Sequence, residues 1–597
     1  MSGSMSSLYV GVTGLTASQN ALNTTAHNLT NIGTKGYVRQ QALFADTNYS
    51  SVGINHINSM QVGLGTNLAA VRQVRDTFLD KSYRIESGRY SYYEVQYQTA
   101  DEIEDVMGEL EGVEFQNSLE DFWTSIQSLA NEPDNIVQRT TTVQTAVSFV
   151  ERANTIYAQL KDYQLSLNTK IKNQVDEVNS IGQQIVDLNY LIQKAEAGNV
   201  ENANDYRDTR NLLLDQLATY GEISYDENKY GVVTVNFEGV QFVSETGYNK
   251  MGVEKMSENS EMIKPVWEFF DTDVFDLSRT PKSDDDTDVG SLKGILIARG
   301  DAVANYSDIP VKPTEPKKSD YATDALYNAA YAQYETDLSQ FEADTKVYNQ
   351  KVNQSIVMSV QAQLDQLVHG VVTKINDILC PNETVTDSVT GVTYKVLASD
   401  ASIGMGDGCE VPGTELFSRI GSDRYEEVTI TRKKEDGSTY TETRYAYKEE
   451  DASDPNSLYS ITNIQVNPDV LKNVSLIPLS NANKTGDYAV DVCKELTSAW
   501  TETFATLDPN TTTKNTFKDY YITMVGAIAN RGNTTKSIAD NQESLSASID
   551  SQRQQIIGVS SDEELTKLIQ YQHAYNAASR YFSVANDMLE QLINNLG

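Results

Sequence analysis

Residues Leu568-Ile-Gln-Tyr-Gln-His-Ala-Tyr575-Asn-Ala-Ala-Ser-Arg-Tyr-Phe582-Ser-Val-Ala-Asn-Asp-Met-Leu589 carry an apolar or aromatic side chain at every seventh place. The row Leu568, Tyr575, Phe582, Leu589 and Leu596 has a companion three residues on: Tyr571, Ala578, Ala585 and Leu592. So narrow a seam is the pattern of a coiled-coil strand, not of a helix lying on a globular surface. Ser561-Asp-Glu-Glu564 reads as the capping box that starts this helix, with its acids at the positive helix end.

The other end of the chain mirrors this one. Leu8, Leu15, Leu22 and Leu29 recur by sevens, and Asn31-Ile32-Gly33 reads as a helix stop. The remaining positions are Ser, Thr, Asn, Gln, Ala and Gly, and no Asp or Glu precedes Asp46. A solvated face normally carries charges of both signs, so this neutral small-residue face suits close packing on several sides. Four leucines contribute far less than the backbone entropy lost in ordering such a helix, and isolated helices of this kind are marginal in water. The expectation is that both ends are loose in a free subunit and order against neighbours. An intramolecular coiled coil between the two ends is the alternative.

Inward of the ends, Ile171, Val178, Ile185 and Ile192 form a heptad row, with Leu167, Ile181 and Leu188 beside it, Gln174 interrupting, and Gly198 as a stop. Together with the polar, helical run 517–557 this predicts a helix bundle built from segments distant in sequence. Val233, Val235 and Phe237 alternate, Glu238-Gly239 turns, and Val240 and Phe242 alternate again, which predicts a hairpin. A second hairpin is signalled at Asp436-Gly437, between Val428/Ile430 and 439–447. Pro310, Pro313 and Pro316 mark a stiff linker ahead of Tyr327, Tyr334, Phe341 and Tyr348, whose heptad spacing predicts packing on Val357, Leu364, Val371 and Ile378.

A chain of 597 residues is too long for one core. The pattern implies a multidomain α+β fold, with long terminal coiled-coil helices and a helix bundle, and central antiparallel β-rich outer domains. The expected division joins 5–50 with 558–597 as a terminal coiled-coil assembly domain, and 51–220 with 485–557 as a helical bundle. Residues 221–309 and 356–484 form the β-rich part, and 310–355 a Tyr-rich helical insertion.

Several function classes are excluded or unsupported. A net charge of −37 argues against nucleic acid and against an anionic membrane surface as partners. No apolar run is long enough to span a bilayer. The first basic residue is Lys35, so the N-terminus lacks the pattern of an ordinary cleaved signal. Cys380, Cys409 and Cys493 are scattered and show no disulfide or metal-ligand spacing. His27, His56, His369 and His573 lie far apart, and no His-Glu-x-x-His, Walker loop or Gly-x-Ser-x-Gly elbow occurs. Gly404-Met-Gly-Asp-Gly408 has no strand–turn–helix context and reads as a loop. The run Asp284-Asp-Asp-Thr-Asp288 lacks EF-hand spacing and reads as a solvated loop. No catalytic, cofactor or metal site is expected.

The string Gly14-Leu-Thr-Ala-Ser-Gln-Asn-Ala-Leu-Asn-Thr-Thr-Ala-His-Asn28, continuing to Asn31-Ile-Gly-Thr-Lys-Gly-Tyr37, resembles the N-terminal signature of flagellar rod, hook and hook-associated axial proteins. Val38-Arg39-Gln40 is similar to the hook-associated protein 1 version of it. Gly558-Val-Ser-Ser-Asp-Glu-Glu-Leu565 and Leu568–Arg580 resemble the same family's end motif. Phe122–Asn131, Val178–Asn189, Arg207–Leu217 and Gly290–Leu296 are further matches, and Met5-Ser-Ser-Leu is similar to the family's start. Residues 310–355 and 380–460 match no motif of the family.

The resemblance implies a structural subunit at the hook–filament junction. It would be exported through the flagellar type III apparatus with an uncleaved signal and bound at its C-terminal region by a cytoplasmic chaperone. Outside the cell it would assemble as a short helical ring, with the hook protein on one side and the next junction protein on the other. The candidate assembly interface is Leu8, Leu15, Leu22 and Leu29 with Leu568, Tyr571, Tyr575, Ala578, Phe582, Ala585, Leu589 and Leu592. The alternative is a secreted surface-binding, adhesin-like protein that uses its outer β-domains.

Overall fold

The computed structural model describes residues 2–52, 60–108, 115–198, 202–258, 260–405, 408–434, 438–481 and 488–596. Its helices are α1 (Ser2–Thr30), α2 (Thr77–Met107), α3 (Phe115–Asn131), α4 (Ile136–Glu196), α5 (Asn204–Leu217), α6 (Ser291–Arg299), α7 (Asp324–Lys351), α8 (Ile356–Leu379), α9 (Pro468–Lys472), α10 (Val490–Ser498), α11 (Phe517–Ile557) and α12 (Ser561–Leu596).

The two terminal helices pair with each other within one chain, the arrangement that was the alternative reading of the heptads. They run antiparallel: Gly11 lies against Phe582, Gly14 against Ala578, and Asn28 is hydrogen-bonded to Glu564. A two-stranded ribbon, Gln40–Asp46 with Thr66–Gln73, packs along α1 and carries a bulge between Leu43 and Phe44. The bundle assignment of 51–220 did not foresee this ribbon. α1 stops at Thr30, where the Asn31 amide donates to the His27 carbonyl.

One helix spans the body. α4 has 61 residues, about 90 Å at 1.5 Å per residue, and enters two cores. Val143 to Leu160 pack with Phe115, Phe122, Leu364 and Tyr520 in the first; Leu167 to Ile185 pack with Phe237, Phe242, Trp267 and Leu292 in the second. The second core is roofed by two three-stranded antiparallel sheets, 223–243 and 251–273. Their hairpin at Glu238-Gly239 has both residues at positive φ (48° and 76°), the mirror-image two-residue turn that suits strand twist. Asparagines fasten sheet to helix. Asn179 both donates to Met251 O (2.9 Å) and accepts from Met251 N (2.9 Å), and Asn189 does the same with Val233 (2.8 and 3.1 Å). Each amide thus satisfies a strand end that would otherwise bury bare polar groups.

The expected division grouped 356–379 with the strands. α8 instead fills the first core beside α3, α4 and α11, because Val357, Leu364 and Val371 are buried there. Consequently α8 receives the Tyr-rich heptad row at its last member alone. α7 meets α8 at its base, where Tyr348 and Val352 pack with Met358 and Ala362. The rest of α7 is mostly exposed, with a half-buried stripe that includes Tyr327, Tyr331, Tyr334, Leu338 and Phe341. Pro310, Pro313 and Pro316 are half-buried while the residues between them are exposed, the three-residue repeat of a polyproline strap. A four-stranded antiparallel sheet pairs Tyr425–Lys433 with Thr439–Tyr447. The signalled turn at Asp436-Gly437 lies outside the described residues, as does His56.

Gly290 opens α6 at φ +94°, and a side chain there would come within 2.4 Å of the Gly221 Cα and the Tyr220 carbonyl. Gly290→Ala adds left-handed strain to a backbone clash. Its expected effect is a loss of roughly 3 kcal/mol in the opening free energy of the α6 amides, read by hydrogen exchange.

Candidate assembly face and the clip at its base

The small-residue row of α1 forms the seam with α12. Gly11, Ser18, Ala21, Thr25 and Asn28 are buried and Gly14 half-buried, at alternating spacings of three and four. Leu8, Leu15, Leu22 and Leu29 are each half-buried and flank that seam instead of forming it. The reason is steric: side chains as small as Gly and Ala let α12 approach the backbone closely. The neutral small-residue face of α1 supplies this seam through its 3–4 spacing. On α12, Ala585 is buried, Leu568, Tyr571, Ala578, Phe582 and Leu589 are half-buried, and Tyr575 and Leu592 lie on the exposed side.

The outer surface of the pair is apolar near its free tip. Tyr9 and Val12 on α1 are exposed, as are Tyr581, Val584 and Met588 on α12, with Met588 at 66%. Among the described residues these side chains stand open to solvent. No core cluster of the body includes α1 or α12 residues.

At the opposite end of the pair sits a polar node. Asn28 is 1% exposed and uses its whole amide. Nδ2 donates to Gln40 O and to Glu564 Oε2, both at 2.9 Å; Oδ1 accepts from the Tyr37 hydroxyl (2.8 Å) and from Gln40 N (3.0 Å). Glu564, also 1% exposed, takes a second bond from Lys567 Nζ at 2.7 Å. The expected capping box is therefore displaced. Ser560, one residue earlier, faces the Glu563 amide, and Glu564 serves Asn28. Arg39 pairs with Glu563 at 2.9 Å and donates its own N–H to Ile557 O at 2.8 Å.

A second layer ties this node to the body. Val38 N donates to Asp208 Oδ2 (3.1 Å) and Gln73 Nε2 to Asp208 Oδ1 (2.6 Å). Burial is the largest influence on Asp208 and pushes its carboxyl up to about 7, against the opposing pull of the Val38 N–H and Arg75. Beyond it, Arg553 of α11 bridges to Asp215 of α5 (2.8 Å) and Arg84 of α2 holds the same carboxylate (2.7 Å).

Nothing catalytic gathers here. His27 lies 3.1 Å from the Tyr37 hydroxyl, His573 is exposed, and His369 is stacked on Tyr306. The acidic run at 284–288 is engaged by Arg89, which pairs with Asp286 and with Asp288. Among the described residues no group of three or more His, Cys, Asp or Glu is placed to hold a metal ion, and no helix is long and apolar enough to cross a membrane.

Residues 100–309 match the family model described as the flagellar hook-associated protein FlgK helical domain. Residues 551–596 match the flagellar basal body rod FlgEFG protein C-terminal model, and 8–37 the flagella basal body rod protein model. Over 590 residues the chain is 24% identical to flagellar hook-associated protein 1 of Bacillus subtilis, covering 98% of this chain and 96% of the relative. Over 609 residues it is 23% identical to the protein of that name from Salmonella typhimurium, covering 98% of each. Along nearly its whole length the chain is similar to these flagellar hook-associated protein 1 relatives. It is a structural component of the flagellum. The rod-type models of this family cover α1 and α12, the two elements joined by the node, and the helical-domain model begins in α2 and runs past α6. The solved hook junction protein FlgK from Burkholderia pseudomallei aligns over 80% of this chain and all of its own at 13% identity and a TM-score of 0.44.

The raised Asp208 carboxyl has a definite sign. Between about pH 4 and 7 the folded chain holds a proton that the unfolded chain has released, so this group's contribution falls as pH rises through that window. Asp208→Asn removes the dependence. From pH 4 to pH 8 the stability of the variant relative to the parent should improve by on the order of 3 kcal/mol, checked by hydrogen exchange at Val38 and in α5.

Proposed function

We propose that this protein is the junction subunit between hook and filament and that it self-assembles through its terminal pair. One observation carries the reading: the tip of the α1–α12 pair exposes Tyr9, Val12, Tyr581, Val584 and Met588, which no core cluster among the described residues takes in. Monomeric surfaces rarely leave so concentrated an apolar patch bare. In a ring of copies the patch of one subunit packs on the flanking Leu8, Leu15, Leu22 and Leu29 row of the next, a head-to-tail contact that generates a helical ring. The twelve heptad residues then divide in role, with Phe582, Ala578 and Ala585 holding the pair together and the half-exposed leucines facing neighbours.

The same logic covers the rest of the pathway. A pair this thinly buried is weakly held in a free subunit and orders fully on assembly, which makes incorporation cooperative. Export proceeds unfolded through the type III apparatus with a chaperone on the exposed C-terminal helix, and the mature position is outside the cell. The hook protein lies below the ring and the next junction protein above. The proposed division follows the packing: terminal pair with its ribbon, a first core that includes α8, a second core under the two small sheets, and the α7 arm. No enzymatic role is assigned.

Val584→Asp with Met588→Asp changes only exposed positions. The free chain should fold as before, with unchanged protection in α4, and should fail to join hook–filament junctions in a motility and electron-microscopy assay. Normal junctions built from that variant would overturn the reading.

A further inference from the structure

Both partners in the terminal pair repeat by sevens, and this raises a question of alignment. The seam of α1 is smooth, and α12 offers Ala578 and Ala585 one heptad apart. Sliding α12 by seven residues, about 10.5 Å, places Gly14 against Ala585 and Ala21 against Ala578, small against small once more. Apolar burial is non-directional and discriminates poorly between such settings. A buried polar contact discriminates well, because misalignment strands its groups.

We propose that Asn28 and Glu564 set the register of α1 on α12 and so align the two halves of the assembly patch; this rests on the reading of the tip as an assembly face. Both side chains are 1% exposed, and Asn28 has every amide position engaged. The slide described above puts Asn28 opposite Tyr571 and breaks its bond to Glu564. The opposite slide sets Glu564 against Ala21, a buried carboxylate facing a methyl group. Arg39, on the segment after α1, also pairs with Glu563 in the first turn of α12 and donates to Ile557 O at the end of α11, but Glu563 is 60% exposed, and an exposed ion pair contributes little to register.

The consequence falls at the far end. Tyr9 and Val12 flank Gly11, and Tyr581 and Val584 flank its neighbour Phe582, so the patch is a composite at one level of the pair. That level is about 26 Å from Asn28 at 1.5 Å per residue. A slip of one heptad leaves the two halves about 10 Å out of step. Asn28 and Glu564 are positioning residues for a surface they do not touch.

Cysteine cross-linking on the full chain reads the register. A Cβ at Gly14 lies 3.4 Å from Ala578 Cβ, close to the disulfide range of about 3.5–4.5 Å, and the three native cysteines are buried. Gly14→Cys with Ala578→Cys reports the observed register, and Gly14→Cys with Ala585→Cys the shifted one. With Asn28 and Glu564 intact, the first pair should close and the second should not. In Asn28→Leu with Glu564→Leu the shifted product should rise about tenfold, a change of about 1.4 kcal/mol, and junction assembly should fall with it. Glu564→Gln, which keeps an acceptor for Asn28, should retain the observed register and assembly. Glu564→Leu alone gives the same test if the double variant does not fold. No rise in the shifted product overturns the proposal, as does failure of both pairs to close in the parent. Cross-links that follow the expectation while Val584→Asp with Met588→Asp still assembles would leave the register intact and overturn the assembly reading instead.

Discussion

Close approach of two backbones is the constraint on which the terminal unit depends. α1 presents Gly11, Gly14, Ser18, Ala21 and Thr25 to α12, and Phe582 reaches to within 3.2 Å of where a Gly11 side chain would begin. Such a seam packs tightly but buries little area, so hydrophobic drive alone cannot stabilise it. Stability must come from elsewhere: from the ribbon along α1 and from the node at Asn28. A subunit built this way has a firm body and a conditional end.

The body solves a different problem. Strands 223–243 and 251–273 have only a few residues each, and isolated hairpins of that size are marginal in water. They are held because α4 presents Asn179 and Asn189 to the backbone of Met251 and Val233, completing the hydrogen bonding of a sheet from a helix. Arg210 adds to this, donating to the Asn189 side chain at 2.9 Å and to the Gly231 carbonyl. Polar residues on a mostly apolar helical face therefore mark where strands begin.

Much of this was legible from patterning. The heptad rows located α1, α4 and α12, and Glu238-Gly239 located a hairpin, because side-chain period and turn chemistry are local properties. What escaped was non-local. Nothing in Ile356–Leu379 distinguishes a helix at the centre of a core from one that receives a neighbouring Tyr row; burial on nearly all sides is decided by which distant segments arrive. In the candidate site, the neutral small-residue face of α1 was legible as a packing surface, whereas the α12 row divides, with Ala578 and Phe582 against α1 and Tyr575 and Leu592 exposed. Asn28 and Glu564 are 536 positions apart, a separation at which no periodicity links them. Asp208 was unremarkable for the same reason: its importance comes from the Val38 amide and Gln73 arriving from another part of the chain.

The unbroken 61-residue helix that serves both cores has a mechanical consequence. A hydrogen-bonded rod resists torsion along its whole length, and here side chains at both ends of that rod are sunk into packed interiors. A load applied to one core is passed to the other without a joint between them.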